Sequence, residues 1–504
     1  MSTSPPRAAA QHRDYTFLGL TQSLCPECRG VIPAKIIARG GRVYFRKTCP
    51  THGVREDFVC SDVSRYDRME TSLPAKLPQQ TYADPKLGCP LDCGLCTEHE
   101  QHTCIAVIEI SDGCNLTCPM CYAASAPGKQ HKSVEQVKAA IDRIVAAEGH
   151  VEVVQLSGGE PTLHPHLLEL VEYALTQPID YVMINTNGIR LAHDADLVAQ
   201  LSQYRERVEI YFQFDSIHDD QVAQLRGQAG LLEIKLKALD RLAGAQLNVT
   251  LVATLQGGVN DSAPADLLEF ARNRPHITGL SFQPATYSGR HVLPEHLEQR
   301  ITFPDVVDTI AADSRNEFRA NDFVPLPCAH PNCHWIGLAV RHADELLPLT
   351  QYVDAGKNLD LLANGISFTR EQTHSLAQQL LARLACGPGD CCSPSQEPTG
   401  LSLPVANACS TNTQASSLEQ LKPQQIEEFL QKLITRSAGA RDLLRITITS
   451  FLDVYNFDVR RVMKCCTHHV LPSGHIIPFC AYNVLYRDGT ARLPELRQAD
   501  SGTV

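Results

Sequence analysis

Six short runs of apolar and β-branched residues, separated by stretches with helical periodicity, constrain the fold of this chain more than any other feature. The runs are CIAVIEIS, VEVVQLSG, YVMINTNG, RVEIYFQFD, NVTLVATL and ITGLSFQP, and runs of this composition and length are typical of buried strands. Between the first two, Ser133 can cap a helix whose apolar face ends before Gly149. Strands that alternate with helices form parallel βα units. The sequence therefore predicts an α/β fold with an open, partial (β/α)6 barrel at 105–290.

Charge and hydropathy exclude several classes of protein. The chain has 504 residues and a formal net charge of −11 without a basic run, so no electrostatic footprint for nucleic acid is present. No run of apolar residues is long enough to span a membrane, and the first residues lack an apolar signal core. We therefore expect a cytoplasmic protein with a disordered leader at 1–15 and no nucleic-acid partner.

The chain contains 20 cysteines, which in a reducing compartment indicate metal or redox chemistry in preference to disulfides. The first group, Cys25, Cys28 and Cys49, flanks two short strands joined by Gly40-Gly41, a hairpin signal. Paired knuckles around a hairpin are typical of a zinc-ribbon or rubredoxin-like module, here at 16–75. The fourth ligand of this mononuclear site is His52 or Cys60; four thiolates suit iron or zinc, whereas three thiolates and a histidine favour zinc.

A second group of cysteines lies within the short stretch GCPLDCGLCTEHEQHTC, in the segment 85–104. Four thiolates on a short glycine-containing loop can enclose one [4Fe–4S] cluster, and a second zinc site is the alternative. The predicted ligands are Cys89, Cys93, Cys96 and Cys104.

The motif directly after the first barrel strand, SDGCNLTCPMCYA, supplies three cysteines and no fourth. Three thiolates can hold three corners of a [4Fe–4S] cluster and leave one iron open, as catalytic metal sites require. These are Cys114, Cys118 and Cys121, at the barrel mouth where catalytic groups gather. SGGEP follows at the end of the second strand. Its glycines let backbone approach a ligand and Glu160 can accept from an ammonium group, although a plain turn is the alternative reading.

Together these motifs resemble the radical S-adenosylmethionine (SAM) superfamily, whose signature C-x3-C-x-Φ-C has Met120 at the hydrophobic position Φ. The resemblance implies that the methionine part of SAM chelates the open iron. It also implies that an electron from the cluster cleaves SAM to a 5′-deoxyadenosyl radical, which abstracts hydrogen from the substrate. The implied cofactor-binding residues are Ser157, Gly158, Gly159, Glu160, Pro161, Met120 and Tyr122, with Asn185, Asn187, Gln213 and Asp215 at later strand ends, where capping of the strand is the alternative role.

The remaining cysteine motifs, with PCAHPNC and FLDVYNFDVRRVMKCC near the C-terminus, are similar to those of the archaeal tetraether lipid synthases. They are also similar to those of the dihydropterin dimethyltransferase relatives and their bacterial homologues. This resemblance implies about three [4Fe–4S] clusters and one mononuclear zinc or iron. It also implies a C-terminal cluster region at 291–504, interrupted by a flexible linker near 393–424. The implied ligands there are Cys328, Cys333, Cys466 and Cys480; Cys465 in place of Cys466, and participation of Cys386 or Cys391, stay open.

We therefore expect a radical SAM enzyme that forms a carbon–carbon bond at an unactivated carbon, coupling lipid chains or methylating a pterin-like ring. A peptide-modifying maturase is the alternative enzyme, and a multi-cluster electron carrier is the non-enzymatic one. The expected partners are a small-molecule or lipid substrate and an external electron donor such as flavodoxin or ferredoxin, and peripheral membrane contact stays open. Polar residues of the FLDVYNFD stretch, Asp453, Asn456 and Asp458, with Arg461 beyond it, either line the substrate space or form a paired loop.

Overall fold

The computed structural model describes residues 12–362 and 439–497, together with Glu428, Phe429, Lys432, Thr435 and Ser437. Most of the predicted leader, the predicted linker at 393–424, and Cys386, Cys391, Cys392 and Cys409 lie outside the described residues. None of the sixteen cysteines that the structure describes is in a disulfide. Within the same ranges, no helix is both long and apolar enough to cross a bilayer.

The N-terminal module is a four-stranded antiparallel sheet of strand order β1-β2-β3-β4. The predicted hairpin is confirmed, since β2 and β3 pair on either side of Gly40 and Gly41. One further strand lies on each side of the hairpin. The strands are β1 (Thr16–Leu24), β2 (Val31–Arg39), β3 (Arg42–Cys49) and β4 (Gly53–Cys60).

The predicted partial barrel is confirmed: six parallel strands pair in chain order, and helices cover their outer face. The first helix begins as expected, because Ser133 forms a capping box with Gln136, and it ends at Gly149 with φ of 72°. The strands are β5 (Ile105–Ser111), β6 (Val151–Gly158), β7 (Ile179–Thr186), β8 (Val208–Gln213), β9 (Asn248–Leu255) and β10 (Ile277–Pro284). The helices are α1 (Val134–Glu148), α2 (Leu167–Thr176), α3 (Ile189–His193), α4 (Ala195–Leu201), α5 (Asp219–Arg226), α6 (Leu231–Gly244), α7 (Ala263–Arg272) and α8 (Phe303–Asp313).

The C-terminal region extends the same sheet at both ends. The added elements are β11 (Val324–Pro325), β12 (His334–His342), β13 (Glu345–Pro348), β14 (Leu443–Thr449), α9 (Val459–Met463), β15 (Thr467–Val470), β16 (Ile476–Pro478) and α10 (Phe479–Ala481). At one end β14 pairs with β10 and β12 pairs with β14; at the other end β15 pairs with β5. The β11–β12 end and the β5–β15 end face each other across the open side of the barrel. Leu326, Ile336 and Cys466 from the two ends share one apolar cluster there, and we call this contact the seam.

A buried lysine joins the N-terminal module to the C-terminal region. Lys47 on β3 is fully buried and forms an ion pair with Asp57, at 3.0 Å. Its Nζ also donates to the carbonyl oxygens of Leu24, Val454 and Tyr455, at 3.1, 2.9 and 2.8 Å. Because a buried ammonium needs all its donors satisfied, this residue fixes the module against the loop that follows β14.

Candidate active site

The three-cysteine motif forms a loop at the carboxyl end of β5, where Cys114, Cys118 and Cys121 line a cavity of about 190 Å³. Arg290 holds this loop: its Nε donates to the carbonyl of Cys118 at 2.6 Å, and its backbone pairs with that of Cys121 at 2.8 and 3.0 Å. Three thiols on one loop facing a cavity, without a fourth from the same motif, fit the donor set of a cluster with one open iron.

The glycines of SGGEP lie where the end of β6 comes into close contact with the backbone of the cysteine loop. A Cβ on Gly158 would lie 2.1 Å from the carbonyl oxygen of Ser111, and a Cβ on Gly159 would lie 2.2 Å from that of Gly113. Backbone hydrogen bonds join the same segments, with Gly159 N donating to Ser111 O at 2.7 Å. The glycines line the cavity, but it is the close crossing of the cysteine loop over the end of β6 that requires them.

Glu160 does not line the cavity, and its expected role as an acceptor for the ligand stays a prediction. The residue is fully buried, and its carboxylate accepts from the backbone of Thr162 at 3.0 Å, the hydroxyl of Thr186 and the backbone of Asn187, both at 2.7 Å. It therefore positions the end of β7 beside the cysteine loop. Its neighbours Ser157 and Pro161 are also buried and off the cavity wall, and Ser157 Oγ accepts from Asn185.

Polar residues at the strand ends divide into two groups. Asn185, Asn187 and Gln213 line the cavity, and their contact with the cofactor stays a prediction. Asp215 does not: it is fully buried and binds Arg226 through both oxygens, with Nε–Oδ2 at 2.7 Å. In this structure it positions an arginine, and its predicted contact with the cofactor stays a prediction.

Arg226 itself lines the cavity and was missed by the sequence analysis. Burial alone lowers its pKa, but the carboxylate of Asp215 outweighs this effect and raises the pKa above the ordinary arginine value. Arg226 is the last residue of α5, a mostly polar helix, and a single arginine in such a helix does not indicate a cavity from the sequence. The pairing with an aspartate that ends a neighbouring strand becomes visible only in the fold.

Lys235 on α6 was also missed. It is fully buried and donates to the carbonyl oxygens of Asn187 and Gln213, at 3.0 and 2.7 Å, so it ties the ends of β7 and β8 together. Burial lowers its pKa to about 8.

Met120 and Tyr122 also line the cavity. The sulfur of Met120 accepts from the backbone of Val292 at 3.2 Å. The ring of Tyr122 lies edge-on to Phe479, with centroids 5.2 Å apart, and the Arg487 guanidinium stands over it.

The C-terminal region supplies the facing wall of the cavity, through Phe451, Leu452, Phe479, Cys480 and Asn483. The polar residues of FLDVYNFD do not reach it. Asp453 is buried against Arg300 at 2.6 Å, and Asp458 accepts from Thr21 at 2.6 Å, while Asn456 binds the Asp453 backbone and Arg461 contacts Cys333 Sγ. Of the two arrangements predicted for these residues, lining of the substrate space or a paired loop, the structure therefore has the paired loop.

The ribbon cysteines converge on a mononuclear site in the structure. The ligand atoms of Cys25, Cys28, Cys49 and His52 all lie within 4.8 Å of one another, whereas Cys60 bonds to the carbonyl of Asp62. Of the two predicted fourth ligands, His52 is therefore the one in place. Three sulfurs and one imidazole fit a structural zinc.

The other cysteines are not grouped as predicted. Cys104 lies with Cys328 and Cys466, apart from the Cys89–Cys96 loop, while Cys333, Cys465 and Cys480 line a small cavity together with Cys466. Cys104 directly precedes β5, so that strand fixes its position at the edge of the barrel sheet. The Cys89–Cys96 loop packs instead against the C-terminal segment, where Cys93 N bonds to Tyr486 Oη at 3.2 Å. The structure thus places Cys104 of the predicted set Cys89, Cys93, Cys96 and Cys104 beside Cys328 and Cys466. Of the predicted set Cys328, Cys333, Cys466 and Cys480, the last three line one cavity, and that ligand set stays a prediction.

Comparison with known proteins identifies two segments of the chain and relatives of the whole chain. Residues 108–271 match the Radical SAM superfamily, and residues 17–61 match the HMPTM N-terminal zinc ribbon domain. The chain is 30% identical over 499 residues to the 7,8-dihydro-6-hydroxymethylpterin dimethyltransferase of Methanocaldococcus jannaschii, covering 93% of this chain and 94% of that protein. It is 27% identical over 215 residues to the GTP 3′,8-cyclase of Moorella thermoacetica, covering 40% of this chain and 65% of that enzyme.

Solved structures give a more distant likeness. The chain matches SuiB of Streptococcus suis bound to S-adenosylmethionine with 14% identity and a TM-score of 0.33, covering 42% of this chain and 47% of SuiB.

Proposed function

Because this chain belongs to the radical SAM superfamily, in the family of the 7,8-dihydro-6-hydroxymethylpterin dimethyltransferase, we propose that it methylates carbon atoms of a pterin-like ring. The observation that carries this proposal is the amide-rich wall of the cavity beside the cysteine loop. The full-length similarity to a pterin-modifying relative supports it.

The cofactors implied by the family fit the residues that are present. Cys114, Cys118 and Cys121 would hold a [4Fe–4S] cluster, which with bound SAM supplies a 5′-deoxyadenosyl radical for hydrogen abstraction. The chain's own contribution is to hold this loop rigidly, through the crossing with Gly158 and Gly159 and the bonds from Arg290. An external one-electron donor such as flavodoxin or ferredoxin is part of the proposal.

The cavity wall suits a flat ring with many hydrogen-bonding atoms. Each amide offers both donors and an acceptor. Four of these side chains come from barrel strands, Gln155, Asn185, Gln213 and Gln283, and the fifth, Asn483, comes from the helical turn after α10. Part of this wall is pre-organised, because Gln283 donates to Tyr211 Oη at 3.0 Å and that hydroxyl bonds to Ser281 at 2.7 Å.

Aromatic side chains complete the proposed ring site. Tyr122, Phe451 and Phe479 line the same cavity, and their faces can stack on a heteroaromatic ring. An alkyl chain in this space could not bind the donors and acceptors of these amides that are left without a protein partner, at a cost of roughly 1–3 kcal/mol for each such group cut off from water. The ring substrate is therefore favoured over the coupling of lipid chains.

The proposal is tested with full-length protein purified under anaerobic conditions and supplied with reductant, SAM and 6-hydroxymethyl-7,8-dihydropterin. We expect 5′-deoxyadenosine and, with a one-carbon donor from a cell extract, pterin products one and two methylene units heavier by mass spectrometry. Cys118→Ala should abolish both, whereas Cys60→Ser, which alters a buried cysteine outside the cavity, should retain both. Formation of 5′-deoxyadenosine that no pterin stimulates, but that a lipid or peptide does, would refute the proposed substrate class.

A further inference from the structure

The small cavity at the seam is lined by four cysteines. Cys333 and Cys466 directly precede β12 and β15, so they line it from the two ends of the sheet, and Cys465 and Cys480 line it beside them. Three of the four, Cys333, Cys466 and Cys480, belong to the ligand set predicted for a C-terminal cluster. Thiols are the ligands that iron–sulfur clusters take in proteins, so the donor set of this cavity fits such a group.

Two hydroxyl groups at the same cavity support this fit. Ser450 and Thr467 line it, and among the described residues neither Ser450 Oγ nor Thr467 Oγ1 has a hydrogen-bond partner, although both atoms are buried. A buried hydroxyl without a partner is unfavourable, whereas the sulfurs of a cluster accept hydrogen bonds. One cysteine sulfur of the cavity already does so, since Leu452 N donates to Cys480 Sγ at 3.2 Å. The cavity therefore suits a group that accepts hydrogen bonds.

Arg461 on α9 is the buried cation beside this cavity. The residue is 4% exposed. Its Nε donates to Cys333 Sγ at 3.1 Å, and its Nη2 donates to the carbonyl oxygen of Ser450. Within the part of the chain that the structure describes, Arg461 forms no ion pair with a carboxylate, and the nearby carboxylate of Asp458 binds Arg460 instead.

The other buried arginines differ from Arg461 in this respect. A buried guanidinium needs an anionic partner, because an uncompensated buried charge is strongly unfavourable. For Arg461 the place of the carboxylate is taken by the sulfur of Cys333, as expected where that sulfur is the thiolate ligand of a metal. The carboxylate pairs of the others are Arg226 with Asp215, Arg272 with Glu317 at 2.8 Å, and Arg300 with Asp453 at 2.6 Å.

We infer that Arg461 is the charge partner of an iron–sulfur cluster bound through Cys333 and Cys480 in the small cavity, and that it raises the reduction potential of this cluster. Reduction adds one negative charge to the cluster. A positive charge close by, and an N–H group that donates to a ligand sulfur, both favour the reduced form. The small cavity adjoins the main one, because Thr449, Phe451 and Phe479 line both.

The test is a redox titration of full-length protein purified under anaerobic conditions, followed by electron paramagnetic resonance, with iron and acid-labile sulfide measured per chain. No substrate is added, so the outcome is independent of the proposed methylation of a pterin. The signal of this cluster is the one that Cys480→Ala lacks, together with part of the iron and sulfide; Cys333→Ala serves for the same identification where Cys480→Ala does not fold. We expect Arg461→Met to weaken one-electron reduction of this cluster at least tenfold, which lowers its midpoint potential by ~59 mV or more. Arg461→Lys, which keeps the charge, should lower it less.

Arg341→Met is the matched control. Arg341 lies at the other end of β12, where its guanidinium donates to the carbonyl oxygens of Ala271, Arg272 and Ile277, and its loss should leave the midpoint potential unchanged. An unchanged midpoint in Arg461→Met, or an equal shift in Arg341→Met, would overturn the inference, and so would unchanged iron and sulfide in the cysteine variants. Where Arg461→Met loses the cluster, a signal retained in Arg461→Lys supports the role of the charge, whereas its loss from both variants would overturn that role.

Discussion

Replacing Gly159 by alanine tests whether the end of β6 sets the position of the cysteine loop. The added Cβ would lie 2.2 Å from the carbonyl oxygen of Gly113, 2.6 Å from its carbonyl carbon and 3.1 Å from the carbonyl oxygen of Asp112. All three atoms belong to the backbone of the loop that carries Cys114. No side-chain rotation can relieve the contact, so the loop must move away by about 1 Å to reach an ordinary contact distance.

The expected cost has two parts. Overpacking of this kind destabilises a protein by about 1–3 kcal/mol. A displacement of about 1 Å in a catalytic loop can lower the rate of the reaction by about a hundredfold. Because the loop would carry the cluster, we expect Gly159→Ala to reduce the rate of 5′-deoxyadenosine formation more strongly than it reduces stability.

The assay combines urea unfolding with the rate of 5′-deoxyadenosine formation and the iron content per chain. Gly244→Ala is the matched control: it makes the same substitution at the end of α6, where no atom lies within 4 Å of the new Cβ. In a helix, alanine is favoured over glycine by roughly 0.5–1 kcal/mol, so this control should be slightly stabilised and fully active. If Gly159→Ala keeps the wild-type stability, iron content and rate of 5′-deoxyadenosine formation, the contact between the end of β6 and the cysteine loop does not position that loop.

Three further predictions concern residues behind the cavity wall. Asp215→Asn should destabilise the protein by about 3–5 kcal/mol in urea unfolding, because it leaves Arg226 buried without its partner. Stability should rise between pH 8 and pH 10, because Lys235, with its folded pKa lowered to about 8, binds its proton more weakly than in the unfolded chain; Lys235→Met should remove up to about 3 kcal/mol of that rise. His52→Ala should lose the ribbon zinc, measured per chain, while Cys60→Ser should retain it.

Each of these predictions has a contrary outcome. An effect of Asp215→Asn no larger than that of the exposed Asp220→Asn would mean that the ion pair is not needed. A pH dependence that is the same with and without Lys235 would assign the rise to other groups. Equal zinc in His52→Ala and wild type would return Cys60 to the ligand set.

Local patterns were sufficient for the barrel. The six strands and α1 could be predicted because each buries a face whose periodicity is visible within a few residues, and because Ser133 and Gly149 mark the ends of the helix. The added strands β14 and β15 were not predicted, since each pairs with a strand more than a hundred residues away.

The motifs of the candidate site could be predicted from the sequence, but the contacts of individual residues within it could be predicted less well. Cys104 was assigned to the nearest cysteines in sequence, but the strand that follows it carries it to Cys328. Glu160 and Asp215 were read as ligand contacts because they end strands at the barrel mouth. In the structure they bind Asn187 and Arg226, which come from other elements, so these partners could not be identified from the sequence around each carboxylate.

The burial of Lys47 limits how this protein can be rearranged. Its Nζ donates to carbonyls of Val454 and Tyr455, and Phe451 and Leu452 of the same loop line the main cavity. Removing the N-terminal module would leave those buried carbonyls without a donor beside the reaction space. The N-terminal module therefore cannot be exchanged by itself. In a chimera of two relatives, it must be exchanged together with the loop after β14.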